Sequence, residues 1–384
     1  MRIYLDNAAT TPLSKEVIDV MYKCMQEQYG NPSSIHADGR IARAAIEEAR
    51  KKVAKNLGAS IGEIFFTSGG TESNNMALKC AVRDQGVQRI ISSPLEHHCI
   101  LHTLQVLGKQ GVSIENVEVD RWGRIDYGHL EALLEDGGGK KTLVSLMHGN
   151  NEIGTLNDMA KISQLCQTDG ALYHSDTVQT IGHFPIDVSK TKIHFLAGSA
   201  HKFHGPKGVG FIYINNETQL KPFIDGGAQE RNMRGGTENV YGIVGLAKAF
   251  EMACKNMEER QLHIEELRRH LMEQLQEHFV DIQFNGDYAG NYLYTVLNVS
   301  FPPSPRSGLL LWQLDIAGIS VSGGSACASG ADAGSHVLTA LGANPARKSI
   351  RFSFSHDNTM EEIDQVVQKL AGLVESKKMA VSEN

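Results

Sequence analysis

The chain has 384 residues, which is enough for two domains with a sizeable hydrophobic core. Hydrophobic residues make up 41% of it and charged residues 21%, as is typical of a soluble globular protein. The net charge of −7 gives no reason to expect a nucleic acid or an anionic membrane as a partner.

Neither the N-terminus nor the cysteines suggest a secreted protein. The first residues contain no apolar segment of the kind found in signal peptides, and no run approaches the ~18 apolar residues of a membrane span. The six cysteines form no CxxC pair, so neither a structural zinc site nor a disulfide framework is indicated. We therefore expect a cytoplasmic protein without a bound metal.

Short apolar runs alternate with helical patterns between residues 60 and 215. Helices are predicted over 38–57, where Gly58 can end the helix, and over 159–168. The predicted strands are 63–67, 89–92, 113–119, 142–147, 171–175, 194–197 and 208–214. This alternation predicts an α/β domain with a mostly parallel sheet.

The pattern changes after about residue 240. A long charged helix is predicted over 241–279, and a last helix begins at Thr359 with a capping-box pattern. The strands predicted between them are 295–301, 319–322 and 349–354. We predict a large α/β domain over 15–255 and a smaller α+β domain formed by 1–14 and 256–384.

A lysine follows the strand predicted at 194–197, within GSAHKFHGPKGVG (198–210). A lysine that attacks an aldehyde must be partly desolvated and held on rigid backbone. Lys202 lies between two predicted strands, beside His201 and His204, and is therefore a candidate Schiff-base lysine. The alternative is a solvated surface charge.

The segment TSGGTESNN (67–75) leads from a strand into a helix. Free N–H groups at the positive end of a helix form a cup for an anion, to which the Thr71 and Ser73 hydroxyls could donate. The spacing matches neither a Walker A loop nor GxGxxG, so nucleotide binding is not indicated. An ordinary strand-to-helix turn is the alternative.

The segment YHSDTVQ (173–179) places an acidic residue after an apolar strand. Asp176 falls at the edge where α/β sheets bind ligands, and its carboxylate could keep a pyridinium nitrogen protonated. The alternative is that Asp176 caps the segment that follows.

The segment LEHHCI (95–100) has three adjacent potential metal ligands. Consecutive side chains on extended backbone point to opposite faces, so His97, His98 and Cys99 are not expected to bind one ion. His97 is a candidate for ring stacking or proton transfer, and a structural histidine is the alternative.

Cys327 lies in SVSGGSACASGADAG (320–334), where its neighbours are small or polar. This composition predicts a mobile, exposed loop, and exposure is the first requirement of a reactive thiolate. The alternative is an incidental surface thiol. Four other cysteines fall in helical patterns and are expected to be small core residues: Cys24, Cys80, Cys166 and Cys254.

In SIRFSFS (349–355), apolar and polar residues alternate as in a half-buried strand. Arg351 falls on the polar face, where its guanidinium could bind a substrate carboxylate through two parallel hydrogen bonds. A plain surface arginine is the alternative.

In combination, these segments resemble a known family. The chain is similar to the group I cysteine desulfurases, the NifS/IscS-like branch of the fold-type I pyridoxal-phosphate enzymes. The resemblance runs from residue 4 to the last helix, and HKFHGPKGVG followed far downstream by GSAC is its most specific element. The matching segments are YLDNAATTP, TSGGTES, LEHH, MHGNNEIG, HSDTVQ, SAHKFHGPKGVG, RGGTEN, GSACASG and SIRFSFS.

The resemblance implies a role for each candidate residue. Lys202 would bind pyridoxal phosphate and move the substrate's Cα proton, and Cys327 would be the nucleophile. His97 would stack on the cofactor ring, Asp176 would pair with its nitrogen and Gln179 would bind its hydroxyl. The remaining residues would bind the phosphate (Gly70, Thr71, Ser199 and His201), the phosphate of the other subunit (Thr237) and the substrate carboxylate (Asn151 and Arg351).

The implied protein is a homodimeric enzyme that takes sulfur from L-cysteine, leaving L-alanine and a persulfide on Cys327. The sulfur would pass to an iron–sulfur scaffold protein or a sulfurtransferase, for iron–sulfur clusters, thio-cofactors or tRNA. Two departures bear on this delivery. Gly334 stands where a proline is frequent, and the tail 376–384 lacks the extension that some members use to dock a scaffold protein.

Other functions share this fold. An aminotransferase, a selenocysteine lyase or another β-eliminating enzyme is an alternative, and Cys327 argues against the first of these. A protein that keeps the fold only as a docking scaffold is a further alternative. The presence of Lys202, Asp176, His97 and Cys327 argues against such a degenerate protein.

Overall fold

The structure is a computed structural model that describes residues 2–304, 307–324 and 334–374. Cys327 and the loop predicted around it lie outside the described residues, as does the tail from residue 375. The helices are α1 (Lys15–Glu27), α2 (Ala37–Leu57), α3 (Gly70–Gln85), α4 (His98–Lys109), α5 (Tyr127–Glu135), α6 (Met159–Asp169), α7 (Gln229–Asn232), α8 (Val240–Lys255), α9 (Met257–His278), α10 (Leu310–Ile316), α11 (His336–Ala340) and α12 (Met360–Ala371). The strands are β1 (Ile3–Tyr4), β2 (Ile64–Thr67), β3 (Arg89–Ser92), β4 (Ser113–Asn116), β5 (Thr142–Ser145), β6 (Leu172–Asp176), β7 (Phe195–Ser199), β8 (Gly210–Ile214), β9 (Gln283–Asn285), β10 (Val296–Phe301), β11 (Ile319–Ser320) and β12 (Lys348–Ser353).

The predicted mostly parallel sheet is confirmed. Seven strands lie in the order β2-β8-β7-β6-β5-β3-β4, and only β8 runs against the others. Helices α3 to α6 return the chain to the same edge between the successive parallel strands from β2 to β6, and the non-helical segment 177–194 does so between β6 and β7. The carboxyl ends of β5, β6 and β7 therefore meet at one edge of the sheet.

Both faces of this sheet are covered by helices. Neighbouring residues alternate between the faces: Phe65 packs with α3 and α4, whereas Phe66 packs with α1, α2, α6 and α8. Leu143 and Val144 alternate in the same way. Burial on both faces explains why the inner strands are rich in apolar residues, whereas the edge strand β4 is partly exposed and mostly polar.

A second core lies outside the large sheet. β12, β10 and β9 form an antiparallel sheet, β1 pairs with β11, and α9 and α12 pack in the same apolar cluster. Ile3 and Leu5 belong to this cluster, together with residues from Ile264 onward. The two cores support the predicted division at 255/256, with the N-terminal segment joined to the smaller domain, and this division stays a prediction.

The predicted helix at 241–279 is wrong in one respect, because the chain forms two helices there. Asn256 ends α8 and precedes α9, with φ −107° and ψ 22°. Asparagine is a weak helix former since its side chain competes for backbone hydrogen bonds. The strand predicted at 113–119 also stops early, at Asn116, because its partner β3 ends at Ser92.

None of the helices in the described ranges is long and apolar enough to cross a membrane.

Candidate active site

A cavity of about 240 Å³ lies at the carboxyl edge of the large sheet. The predicted site residues line it except Thr237, which is exposed elsewhere, Cys327, which is outside the described residues, and Ser73. The prediction of a Ser73 hydroxyl in the anion cup is wrong, because this side chain is buried and its hydroxyl donates to the Phe211 carbonyl oxygen (3.0 Å). Its lining is Ala8, Ala9, Gly70, Thr71, Asn74, His97, Cys99, Met147, Gly149, Asn151, Asp176, Val178, Gln179, Ser199, His201, Lys202 and Arg351. The structure thus brings together segments from opposite ends of the chain, from Ala8 to Arg351.

Lys202 ends the short turn that follows β7. Its Nζ donates hydrogen bonds to the carbonyl oxygens of Ala8 (2.5 Å) and Ala9 (2.9 Å), so the N-terminal segment crosses directly beside the amine. The side chain is half-buried and lines the cavity, so the alternative of a solvated surface charge is wrong.

Asp176 is the last residue of β6, and it combines the two alternatives considered for it. One carboxylate oxygen accepts a hydrogen bond from the Val178 N–H (3.0 Å), which caps the following turn. The other accepts from Asn74 Nδ2 (2.7 Å). The side chain also lines the cavity, so its carboxylate is available to a ligand.

His97 is the N-cap of α4. The expectation of extended backbone through Cys99 is wrong, because the helix already begins at His98; the His98 ring packs instead against His102 and His336. His97 Nδ1 accepts the backbone N–H of Cys99 (3.2 Å), which requires the ring proton to be on Nε2 when the ring is neutral. Burial lowers the pKa of His97, although the Asp176 carboxylate partly opposes this.

The predicted anion cup is formed by the start of α3. Its N-cap, Gly69, has no side chain to satisfy the first N–H groups of the helix. A Cβ on Gly70 would lie 2.6 Å from Val178 Cγ2, so only glycine allows this approach of the two segments. Ser199 and His201 line the cavity beside it, and burial lowers the pKa of His201 to about 4.

Arg351 is fully buried, and the alternative of a surface arginine is wrong. Nη2 pairs with Asp6 Oδ1 (2.8 Å), and Nη1 donates to the Asn151 carbonyl oxygen (2.9 Å). Its Nε has no hydrogen-bond partner within the described residues. A buried guanidinium with unused donors beside a cavity is suited to a ligand carboxylate.

One cavity residue, Asn74, was not singled out from the sequence, and Cys99 was considered there only as one of three adjacent potential metal ligands. Asn74 lies three residues after Thr71 on α3, so helical spacing alone places the two on one face. Cys99 Sγ lies 3.0 Å from His97 Nδ1 and accepts from Asn74 Nδ2 (3.3 Å). Burial raises the pKa of this thiol, so it is protonated at neutral pH and unsuited to nucleophilic attack.

A separate group of potential metal ligands, His204, His356 and Asp357, lies beside a crevice of about 370 Å³ next to α8 and α9. Two of the three side chains are exposed. Burial and the neighbouring Arg260 charge lower the pKa of both histidines, and the same charge would repel a divalent cation. We assign no metal to this group, and the absence of a bound metal stays a prediction.

The residues of the cavity fit pyridoxal phosphate, the cofactor expected from the resemblance. An uncapped helix N-terminus without a Cβ at Gly70 suits the phosphate, a buried carboxylate suits the ring nitrogen, and a half-buried lysine amine suits the aldehyde.

Comparisons with known proteins agree with this geometry. The aminotransferase class-V family model matches residues 3–366. A cysteine desulfurase IscS of Dictyoglomus turgidum is 44% identical over 97% of this chain and 94% of its own, and a cysteine desulfurase NifS of Azotobacter vinelandii is 38% identical over 97% and 92%. A solved NifS-like protein from Rickettsia africae superposes with a TM-score of 0.86 at 32% identity, covering 97% of this chain and 99% of that one. The chain therefore belongs to the class-V aminotransferases and, among them, to the IscS- and NifS-type cysteine desulfurases.

Proposed function

We propose that this protein is a cysteine desulfurase in which L-cysteine and the Cys327 thiol react to give L-alanine and a persulfide on Cys327. The observation that carries the proposal is the convergence of the Lys202 amine, the Asp176 carboxylate and the Arg351 guanidinium on one cavity. The relatives named cysteine desulfurase support the same reaction. Atoms balance, because one sulfur leaves the substrate's Cβ, a proton replaces it, and the sulfur becomes the terminal atom of the persulfide.

Pyridoxal phosphate, when bound, supplies an electron sink for negative charge at the substrate's α-carbon. The chain's residues would hold it at three points. Asp176 would pair with the ring nitrogen and Gln179 would bind the ring hydroxyl. The residues at the start of α3 and the end of β7 would bind the phosphate: Gly70, Thr71, Ser199 and His201.

Arg351 and Asn151 would bind the substrate carboxylate. The Arg351 fork is already held on one side by Asp6 and by the Asn151 carbonyl, so little of its side-chain entropy remains to be lost on binding. This orientation would present the substrate's Cα proton to Lys202, whose amine would take it up and return a proton to the product.

His97 would stack on the cofactor ring and assist proton transfer. Its Nδ1 accepts the Cys99 N–H, so only Nε2–H can donate into the cavity. The low pKa that burial gives His97 keeps the ring neutral at physiological pH, which suits a donor that must not carry a fixed charge.

Cys327 would take the sulfur and carry it to an acceptor. The described chain on either side of its segment converges near the cavity: a Cβ on Gly324 would lie 3.1 Å from Ser335 Cβ, and the Ser335 hydroxyl donates to Glu152, the neighbour of Asn151. The segment that carries Cys327 therefore starts and ends next to a residue that is proposed to bind the substrate carboxylate.

We also propose a cytoplasmic homodimer. Thr237 is exposed and does not line the cavity of its own chain, as expected if it contacts the phosphate bound by a second subunit. The sulfur would pass to a sulfur-acceptor protein, an iron–sulfur scaffold or a sulfurtransferase, for iron–sulfur cluster, thio-cofactor or tRNA synthesis.

A single turnover with ³⁵S-labelled cysteine tests the proposal. One equivalent of substrate without reductant should yield alanine and place the label on the peptide that contains Cys327. Cys327→Ala should bind cofactor and cysteine but form no protein-bound label, whereas Cys254→Ser should behave as the wild type. Turnover of cysteine by Cys327→Ala at the wild-type rate would replace the desulfurase mechanism with that of a simple β-eliminating enzyme.

A further inference from the structure

A chain of hydrogen bonds connects Asp176 to the interior of the large domain. Asn74 Nδ2 donates to Asp176 (2.7 Å), and the Asn74 amide oxygen lies 3.1 Å from His174 Nε2. His174 Nδ1 in turn lies 2.9 Å from the Ser145 hydroxyl. All four side chains are buried, and Ser145 and His174 are paired across β5 and β6.

The carboxylate fixes the direction of every bond in this chain. Asn74 must turn its nitrogen toward Asp176, because two acceptor oxygens cannot bond to each other. Its oxygen then faces His174, so His174 carries its proton on Nε2, and Nδ1 accepts from Ser145. Burial lowers the pKa of His174 to about 3, so the ring is neutral and this arrangement persists at physiological pH.

Asn74 also connects the two groups that flank the cofactor in the proposed function. Its nitrogen donates to Cys99 Sγ (3.3 Å) as well as to Asp176, and Cys99 Sγ lies 3.0 Å from His97 Nδ1. A single amide therefore fixes the Asp176 carboxylate, which would pair with the ring nitrogen, relative to the His97 imidazole, which would stack on the ring.

We infer that Asn74 is a positioning residue, and that the Ser145–His174–Asn74 chain keeps the shared proton on the cofactor's ring nitrogen and away from Asp176. This inference rests on the proposed pairing of Asp176 with that nitrogen. A hydrogen bond donated to a carboxylate favours its charged form, and donors aligned head to tail polarise one another. The ring nitrogen must stay protonated for the ring to accept electrons.

The protonation of the ring nitrogen can be measured directly in the holoenzyme with ¹⁵N-labelled pyridoxal phosphate by NMR. The wild type should show a pyridinium shift. Asn74→Ala should move the shift toward that of neutral pyridine and weaken cofactor binding roughly tenfold or more, because a hydrogen bond to a charged group is lost. kcat should fall more than KM for cysteine rises. Asn75→Ala, at the next position of the same helix, should leave the shift unchanged.

Two variants of His174 separate positioning from packing. His174→Gln can keep a donor near the Nε2 position and should retain the pyridinium shift, whereas His174→Leu fills similar space without a donor and should lose it. Should Asn74→Ala fold poorly, Ser145→Ala carries the test, with a smaller change in the same direction.

The outcomes test the positioning role of Asn74 separately from the proposed role of Asp176. A wild-type enzyme with neutral pyridine nitrogen would overturn the role of Asp176, and with it this inference. A pyridinium shift that persists in Asn74→Ala, or that is equal in His174→Gln and His174→Leu, would overturn the positioning role alone.

Discussion

Two buried arginines, Arg50 on α2 and Arg351 on β12, differ in how completely their donors are used. Arg50 makes paired hydrogen bonds to the Glu230 carboxylate (2.7 and 3.0 Å), and two of its other N–H groups reach Glu47 and the Ile64 carbonyl. Arg351 is as deeply buried, but it shares only one bond with a carboxylate and leaves Nε without a partner in the described ranges.

The difference teaches how to tell a structural arginine from a binding one. Burial lowers the pKa of Arg50, but its hydrogen bonds to Glu230 and the charge of that carboxylate raise the pKa by more than burial lowers it. The two charges of this ion pair therefore satisfy each other inside the protein. Glu230, at φ 43°, begins a left-handed run of three residues that this ion pair holds in place, a few residues before Thr237. Arg351 remains incomplete, and it lines a cavity.

The largest effect on stability is expected when the Arg50–Glu230 ion pair is broken. Arg50→Met leaves the Glu230 carboxylate buried without its partner, which should lower the free energy of unfolding by about 3–5 kcal/mol. Urea unfolding measures the loss, and KM for cysteine in the folded enzyme should not change. The double variant Arg50→Met/Glu230→Met should recover part of the stability. A loss below about 1 kcal/mol for the single variant would contradict a structural role for this pair.

At Arg351 we expect a change in substrate binding and not in stability. Arg351→Lys keeps the charge but loses the planar fork, so KM for cysteine should rise tenfold or more, since hydrogen bonds to charged groups contribute roughly 1.5–3 kcal/mol. Steady-state kinetics measure this, and the cofactor should remain bound. Arg347→Lys, just before the same strand, is the matched control. An unchanged KM would make Arg351 a second structural arginine.

A third pair, Arg234–Glu72, is intermediate in burial and should give the smallest effect. Burial raises the pKa of Glu72, but hydrogen bonds from Arg234 and Ser68 lower it more, so its folded pKa lies below the unfolded value. The stability that ionised Glu72 contributes is therefore fully present above its unfolded pKa of about 4.3, and it is lost as the pH falls through its folded pKa.

Glu72→Gln should accordingly flatten the decline of stability with acid by about 1 kcal/mol or less, because the Arg234 partner is partly exposed. Urea midpoints between about pH 6 and 3 provide the measurement. If the urea midpoints of the variant and the wild type fell equally with pH, the Arg234–Glu72 pair would contribute nothing to stability.

The large sheet could be predicted because most of its strands are short apolar runs separated by helical patterns, a signal that is local in sequence. The roles proposed for Lys202, Asp176 and the start of α3 were also accessible, since each follows a predicted strand. The early end of β4 was not predicted, because it depends on where the partner strand β3 ends. The break between α8 and α9 was not predicted, because it depends on one weak helix former, Asn256, within a charged helical pattern.

The partners of the site residues could not be predicted in the same way. The alternation of apolar and polar residues predicted that Arg351 lies on the polar face of its strand. In the structure the side chain is buried, pairs with Asp6 and lines the cavity. Asn74 meets His174 across 100 residues, and no local pattern carries this contact. The role proposed for Thr237 requires a second subunit, and Cys327 lies outside the described residues.

The crossing of the N-terminal segment beside Lys202 has a consequence for the newly made protein. Asp6 is 345 residues from its partner Arg351, and Ala8 is 194 residues from the lysine that it contacts. Contacts of such high sequence separation form slowly, and the contact between Asp6 and Arg351 cannot form before β12 has left the ribosome. A nascent chain that has completed its large sheet therefore still has an open cavity, and the cofactor can be fully enclosed only after synthesis of nearly the entire polypeptide.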